Sequence, residues 1–114
     1  MKRISTHILD MVSGKPAGDV PVQLEKQDAS GIWKPLSSAR TDQDGRCAQL
    51  LPNGEEFPPG VYRLSFDTGS YYDAQQIATL YSAVEVILRV RDGESHFHIP
   101  LLLSPNGYTT YRGS

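Results

Sequence analysis

Apolar and polar positions alternate with a period of two along most of this chain. Val20, Val22 and Leu24 alternate with Pro21, Gln23 and Glu25, and Tyr62, Leu64 and Phe66 alternate with Arg63 and Ser65. Val84, Val86, Leu88 and Val90 fall on one side, with Glu85, Arg89 and Arg91 on the other. Phe97, Ile99, Leu101 and Leu103 form a further apolar row. Successive side chains of a strand point to opposite faces, so each segment offers one side to a core. Further strands are predicted near Ile4–Leu9, Ile32–Ala39, Arg46–Leu50 and Tyr108–Arg112. Turn residues separate these segments at Gly14-Lys15-Pro16, Asp44-Gly45, Pro52-Asn53-Gly54, Pro58-Pro59-Gly60 and Pro105-Asn106-Gly107. One stretch breaks the rule. Asp73–Tyr81 places Ala74, Ile77 and Tyr81 at helical spacing, with Ser70 or Asp73 as its cap. The pattern predicts an all-β sandwich of about eight strands in two sheets, with one short helix.

Length and composition narrow this picture. The chain has 114 residues, the size of a single domain spanning 1–114. Hydrophobic residues make up 39% and charged residues 21%, proportions of an ordinary globular chain. Net charge is −2 with no basic stripe, which argues against a nucleic-acid partner. No apolar run reaches membrane-spanning length, so no membrane partner is expected. Met1-Lys2-Arg3 is basic, but no apolar stretch follows it as in a secretory signal. The expected location is cytoplasmic, with a periplasmic mature form as the alternative. The single cysteine, Cys47, excludes an intramolecular disulfide and a cysteine metal framework. Arg46 stands beside it, but Cys47 reads as a small, partly buried strand residue rather than a nucleophile.

Candidate chemistry gathers at the histidines and at the C-terminus. In Ser95-His96-Phe97-His98-Ile99-Pro100-Leu101, Phe97, Ile99 and Leu101 face the core, so His96 and His98 share the opposite face. Two imidazoles on one exposed strand face fit acid–base chemistry, metal ligation or a solvated surface. His7 is the third histidine, and His7, His96 and His98 together make a zinc-dependent hydrolase a rival reading. Arg46 follows the turn Asp42-Gln43-Asp44-Gly45. It is placed either to present its planar fork to an oxyanion or to pair with Asp42 or Asp44. The end, Tyr111-Arg112-Gly113-Ser114, combines a phenol, a guanidinium, a hydroxyl and the terminal carboxylate, with Gly113 free to bend.

These motifs together resemble the 5-hydroxyisourate hydrolase branch of the transthyretin-like proteins. The resemblance rests on Ser5-Thr6-His7-Ile8-Leu9-Asp10, Gly14-Lys15-Pro16-Ala17, Thr41-Asp42-Gln43-Asp44-Gly45-Arg46 and Pro59-Gly60-Val61-Tyr62-Arg63-Leu64. It continues through His96-Phe97-His98-Ile99-Pro100-Leu101-Leu102-Leu103-Ser104-Pro105 to Tyr108-Thr109-Thr110-Tyr111-Arg112-Gly113-Ser114. At Tyr81-Ser82 the chain departs from relatives that carry a proline after the aromatic residue. The resemblance implies a transthyretin-like Greek-key sandwich and a homotetramer, a dimer of dimers whose sites lie in a central channel. It implies catalytic roles for His7, Arg46, His98 and Ser114. It also implies contacts to the small-molecule substrate 5-hydroxyisourate from His7, Arg46, His96, Tyr111, Arg112 and Ser114. No metal or organic cofactor is expected. In the hormone-carrying transthyretins the tail and the corresponding histidines are replaced, so a small-molecule carrier is the second reading.

Overall fold

Alternation converts directly into a two-layer structure. The computed structural model describes residues 2–52 and 57–114. Along β1 (Arg3–Asp10), Ile4, Thr6, Ile8 and Asp10 are buried while Arg3, Ser5, His7 and Leu9 turn outward. The same two-residue beat runs through β3 (Pro21–Gln27), β6 (Gly60–Phe66) and β8 (His96–Ser104), which bury Val22, Leu24, Tyr62, Leu64, Phe66, Phe97, Ile99, Leu101 and Leu103. Removing such side chains from water stabilises the fold by roughly 1.5–3 kcal/mol each.

Among the described residues nine strands form two sheets. One has the order β2-β1-β8-β9, with β2 at Lys15–Pro16 and β9 at Gly107–Thr110. A two-residue strand, β5 (Arg46–Cys47), joins the free side of β1. The other sheet has the order β4-β3-β6-β7, with β4 at Trp33–Arg40 and β7 at Val84–Val90. The sheets bury one continuous core between them. β1 and β8 run parallel, so the first strand lies beside a strand from the last quarter of the chain.

Three expectations need correction. Arg46–Leu50 is not a full strand, because the Gln49 side chain takes over from the ladder. Its Oε1 accepts from the N–H of Ile4 (3.2 Å) and Leu51 (3.0 Å), while Nε2 donates to Lys2 O (2.8 Å). The last strand ends at Thr110 rather than Arg112, since the chain leaves β9 to reach His98. The helix, α1, occupies Thr68–Asp73 and not Asp73–Tyr81. Asp67 caps it by accepting from the Ser70 N–H at 3.1 Å. Beyond it, Gln76 adopts a left-handed φ of 59°, while the Gln76 N–H donates to Asp73 O and the Ile77 N–H to Tyr72 O, both at 3.0 Å. That pair of bonds is a Schellman stop, and it ends the helix before the apolar spacing at 74–81 can be used. The expected Asn53-Gly54 turn lies outside the described residues.

Two contacts anchor α1. Tyr71 donates to Asp10 Oδ2 at 2.8 Å and Tyr72 to Asp10 Oδ1 at 3.4 Å, while Asp10 Oδ1 also accepts from the Val12 N–H at 2.9 Å. Burial, together with the Asp10 carboxylate, pushes both phenols up from their ordinary pKa. At the junction that lacks a proline, the Gly69 N–H donates to Ser82 O at 2.9 Å. A Cβ on Gly69 would stand 2.6 Å from that oxygen, so glycine is what lets the helix lie against the strand approach.

Candidate active site

Strand register brings the candidate residues onto one surface. The parallel pairing of β1 and β8 aligns Arg3 with His96, Ser5 with His98 and His7 with Pro100. On the other side of β1, the antiparallel β5 aligns His7 with Arg46. Arg3, Ser5 and His7 therefore share the outward face of the five-stranded sheet with His96 and His98. There the Ser5 hydroxyl meets His98 Nδ1 at 2.8 Å.

The turn before β5 holds Arg46. Asp42 Oδ1 accepts from the N–H of Asp44 at 2.9 Å and of Arg46 at 3.0 Å. Gly45 has a φ of 74°, and a Cβ there would stand 2.4 Å from Ile8 O. Its own carbonyl accepts the Ile8 N–H at 2.8 Å, which ties the turn to β1. The bland expectation for Arg46, a surface pair with Asp42 or Asp44, is not what forms. The Asp42 carboxylate serves the backbone, and among the described residues the ion pairs are made by other groups.

After β9 the tail turns back along β8. The Gly113 N–H donates to His98 O at 2.7 Å. Arg112 holds this turn in place. Its Nη1 pairs with Glu94 Oε2 at 2.8 Å, its Nη2 donates to His96 O at 3.2 Å, and its guanidinium carbon lies 4.4 Å from the centre of the Phe97 ring. The hydrogen bond from Arg112 holds the Glu94 carboxyl below the usual carboxylate range.

The result is a cleft of about 320 Å³ lined by Arg3, Ser5, Arg46, His98 and Ser114, with His96, Cys47 and neighbouring residues completing it. Of the sequence candidates, Arg46, His96, His98 and Ser114 meet in this cleft. His7 is half-buried on the same face, opposite Arg46, and its charge acts on His98. Arg112 and Tyr111 do not line it; Arg112 is committed to Glu94 and His96, and Tyr111 is 54% exposed. Burial lowers the His98 pKa below the ordinary imidazole value, and Arg46 and then His7 lower it further. His98 is therefore neutral near pH 7. Burial, then Asp42, pushes the Cys47 thiol up, which keeps it protonated and poorly nucleophilic. Among the described residues no three His, Cys, Asp or Glu side chains converge as a metal-binding set.

Sequence reasoning misses Ser5 and Arg3. Their outward position, in steps of two from His7, is visible in the alternation, but their proximity to His98 and His96 depends on the long-range parallel pairing. It also misses Glu94 as the anchor of the tail.

The geometry has close counterparts. Residues 4–113 match the HIUase/Transthyretin family. The 5-hydroxyisourate hydrolase of Salmonella typhimurium is 43% identical over 111 residues, covering 97% of this chain and 80% of that protein. That of Mus musculus is 41% identical over 112 residues, covering 97% and 94%. Among solved structures, sea bream transthyretin in complex with thyroxine superposes with a TM-score of 0.91 at 35% identity, covering 97% of this chain and 94% of that one. Klebsiella pneumoniae 5-hydroxyisourate hydrolase superposes at 0.86 and 33% identity, covering 100% of both chains. The chain belongs to the HIUase/transthyretin family.

Proposed function

We propose that this chain hydrolyses 5-hydroxyisourate to 2-oxo-4-hydroxy-4-carboxy-5-ureidoimidazoline, a step in the breakdown of urate towards allantoin. The observation that carries this reading is the meeting of His98, whose burial disfavours the imidazolium, with Arg46 and Ser114 in one cleft. Relatives named for this activity, at 43% and 41% identity, support it. The fold itself serves carriers and enzymes alike, so the acid–base groups decide between them.

In this reading His98 takes a proton from water as the water attacks a ring carbonyl. Arg46 faces the developing oxyanion and stabilises it with charge-assisted hydrogen bonds. The C–N bond of the ring then breaks, and the proton held on His98 passes to the departing nitrogen. Ser114 orients the substrate and the attacking water, His7 and His96 border the bound substrate, and Tyr111 and Arg112 contribute by holding the tail. These roles need no metal.

Assembly belongs to the same proposal. The cleft opens on the outward face of a sheet, where a facing copy can close it and exclude water. Apolar side chains stand exposed around the molecule at Met11, Val12, Leu80, Ile87 and Tyr108. Such surface favours association, and the assembly proposed is a homotetramer built as a dimer of dimers.

The test follows the loss of freshly made 5-hydroxyisourate absorbance against its spontaneous decay. The wild-type protein accelerates it, and His98→Asn lowers turnover by about 10²–10⁴-fold. Wild-type turnover in that variant would remove His98 as the base.

A further inference from the structure

We infer that Ser5 is a positioning residue that selects the tautomer of His98, by accepting a hydrogen bond from its Nδ1–H and so turning the Nε2 lone pair to the cleft. The inference rests on the reading of His98 as the base.

Two contacts fix the imidazole from opposite directions. On one side the Ser5 hydroxyl lies 2.8 Å from Nδ1. On the other, the Gly113 backbone passes so close that an ideal Cβ there would stand 2.6 Å from His98 Cδ2. The ring is thus held between β1 and the tail, and its second nitrogen is the one left for chemistry. A neutral imidazole carries one N–H, and the partner of one nitrogen dictates the state of the other. A hydroxyl can either donate or accept. If Ser5 donated to Nδ1, the proton would sit on Nε2 and His98 could act only as an acid. If Ser5 accepts from Nδ1–H, Nε2 is free to take a proton from water. The second arrangement also survives the reaction, because the imidazolium keeps its Nδ1–H bonded to Ser5 after Nε2 is protonated. No rotation of the hydroxyl is then needed during the step, which is the pre-organisation a base requires.

The same arrangement has a charge consequence. The charged and titratable groups around His98 are His7 and Arg3 on β1, Arg46 on β5 and His96 on β8. His7 and Arg46 disfavour the imidazolium. An accepting Ser5 favours it and offsets part of that effect. The direction in which its removal moves the His98 titration therefore reports which way the hydrogen bond runs.

The experiment is ¹⁵N NMR of the histidine side chains in the full-length wild-type protein, with Ser5→Ala and Ser5→Thr alongside, and pH profiles of kcat and KM for all three. The expected wild-type spectrum shows neutral His98 protonated at Nδ1. Ser5→Ala loses that tautomer preference, shifts the acid limb of kcat/KM to lower pH, and lowers kcat by about tenfold to a hundredfold with little change in KM. Ser5→Thr, which keeps a hydroxyl, restores all three. A wild-type His98 protonated at Nε2 overturns the inference, and so does an acid limb that moves to higher pH in Ser5→Ala. The wild-type spectrum distinguishes the two tautomers even if Ser5→Ala fails to fold. The tautomer is read without substrate. An Nδ1–H tautomer in a protein that does not act on 5-hydroxyisourate would uphold the role of Ser5 and sink the proposed function.

Discussion

At Gly113 the backbone approaches the His98 ring more closely than any larger residue permits, with Pro100 Cγ only 3.1 Å from the same ideal Cβ. Gly113→Ala must therefore displace either the tail or the imidazole. Thermal melts should show little change, because the tail adds no core burial. The hydrolysis assay should show a fall of about a hundredfold in kcat/KM, the scale on which small misplacements of reacting groups act. The pH dependence follows from the environment of the same histidine. Burial, then Arg46, then His7 hold its pKa below the ordinary imidazole range. A base works in its neutral form, so activity persists above the lowered value and is lost as pH falls through it. The acid limb of kcat/KM should lie below about pH 6.5, and a limb above that value would assign it to another group. The outward face of His96 and His98 is legible from alternation alone. Their meeting with Ser5 is not, because a contact across 93 positions leaves no local trace in sequence. Arg46 is distinguishable from an ordinary surface arginine only through the resemblance, and the structure supplies the physical reason in the Asp42 turn.

Elements show where periodicity is a sufficient guide and where it misleads. The strands that line the core are readable because one face of each is buried and one is not. Periodicity misplaces α1 because Ile77, although like Tyr71 it packs against the core, does so from beyond the helix stop, while the helix itself buries Tyr72. Leu80, which also lies beyond that stop, is 69% exposed. It overextends β5 because a side chain, Gln49, can satisfy strand N–H groups as well as a ladder can. The tie between Asp10 and the two tyrosines belongs to this scale, since it joins the end of β1 to α1. Asp10→Ala leaves the buried Tyr72 hydroxyl and the part-buried Tyr71 hydroxyl and Val12 N–H without their acceptor. Stability should fall by about 1–3 kcal/mol in urea titrations, with the assay at 25 °C retained. Unchanged stability would mean that water replaces the carboxylate without loss.

For the whole molecule, the proposed tetramer makes a separate demand. Ile87 lies mid-strand on β7, which has a paired neighbour on one side only, and is 61% exposed. Ile87→Lys places a charge on that edge and should shift the sedimentation profile towards smaller species. If the wild-type protein sediments as a monomer, assembly is not part of its catalysis. The parallel pairing of β1 with β8 has a consequence in time rather than in space. Contacts of large sequence separation form late, because the intervening chain must first lose the freedom to wander. The face that carries Ser5 and His98 is therefore among the last parts of the fold to form, because it exists only once β8 has paired with β1.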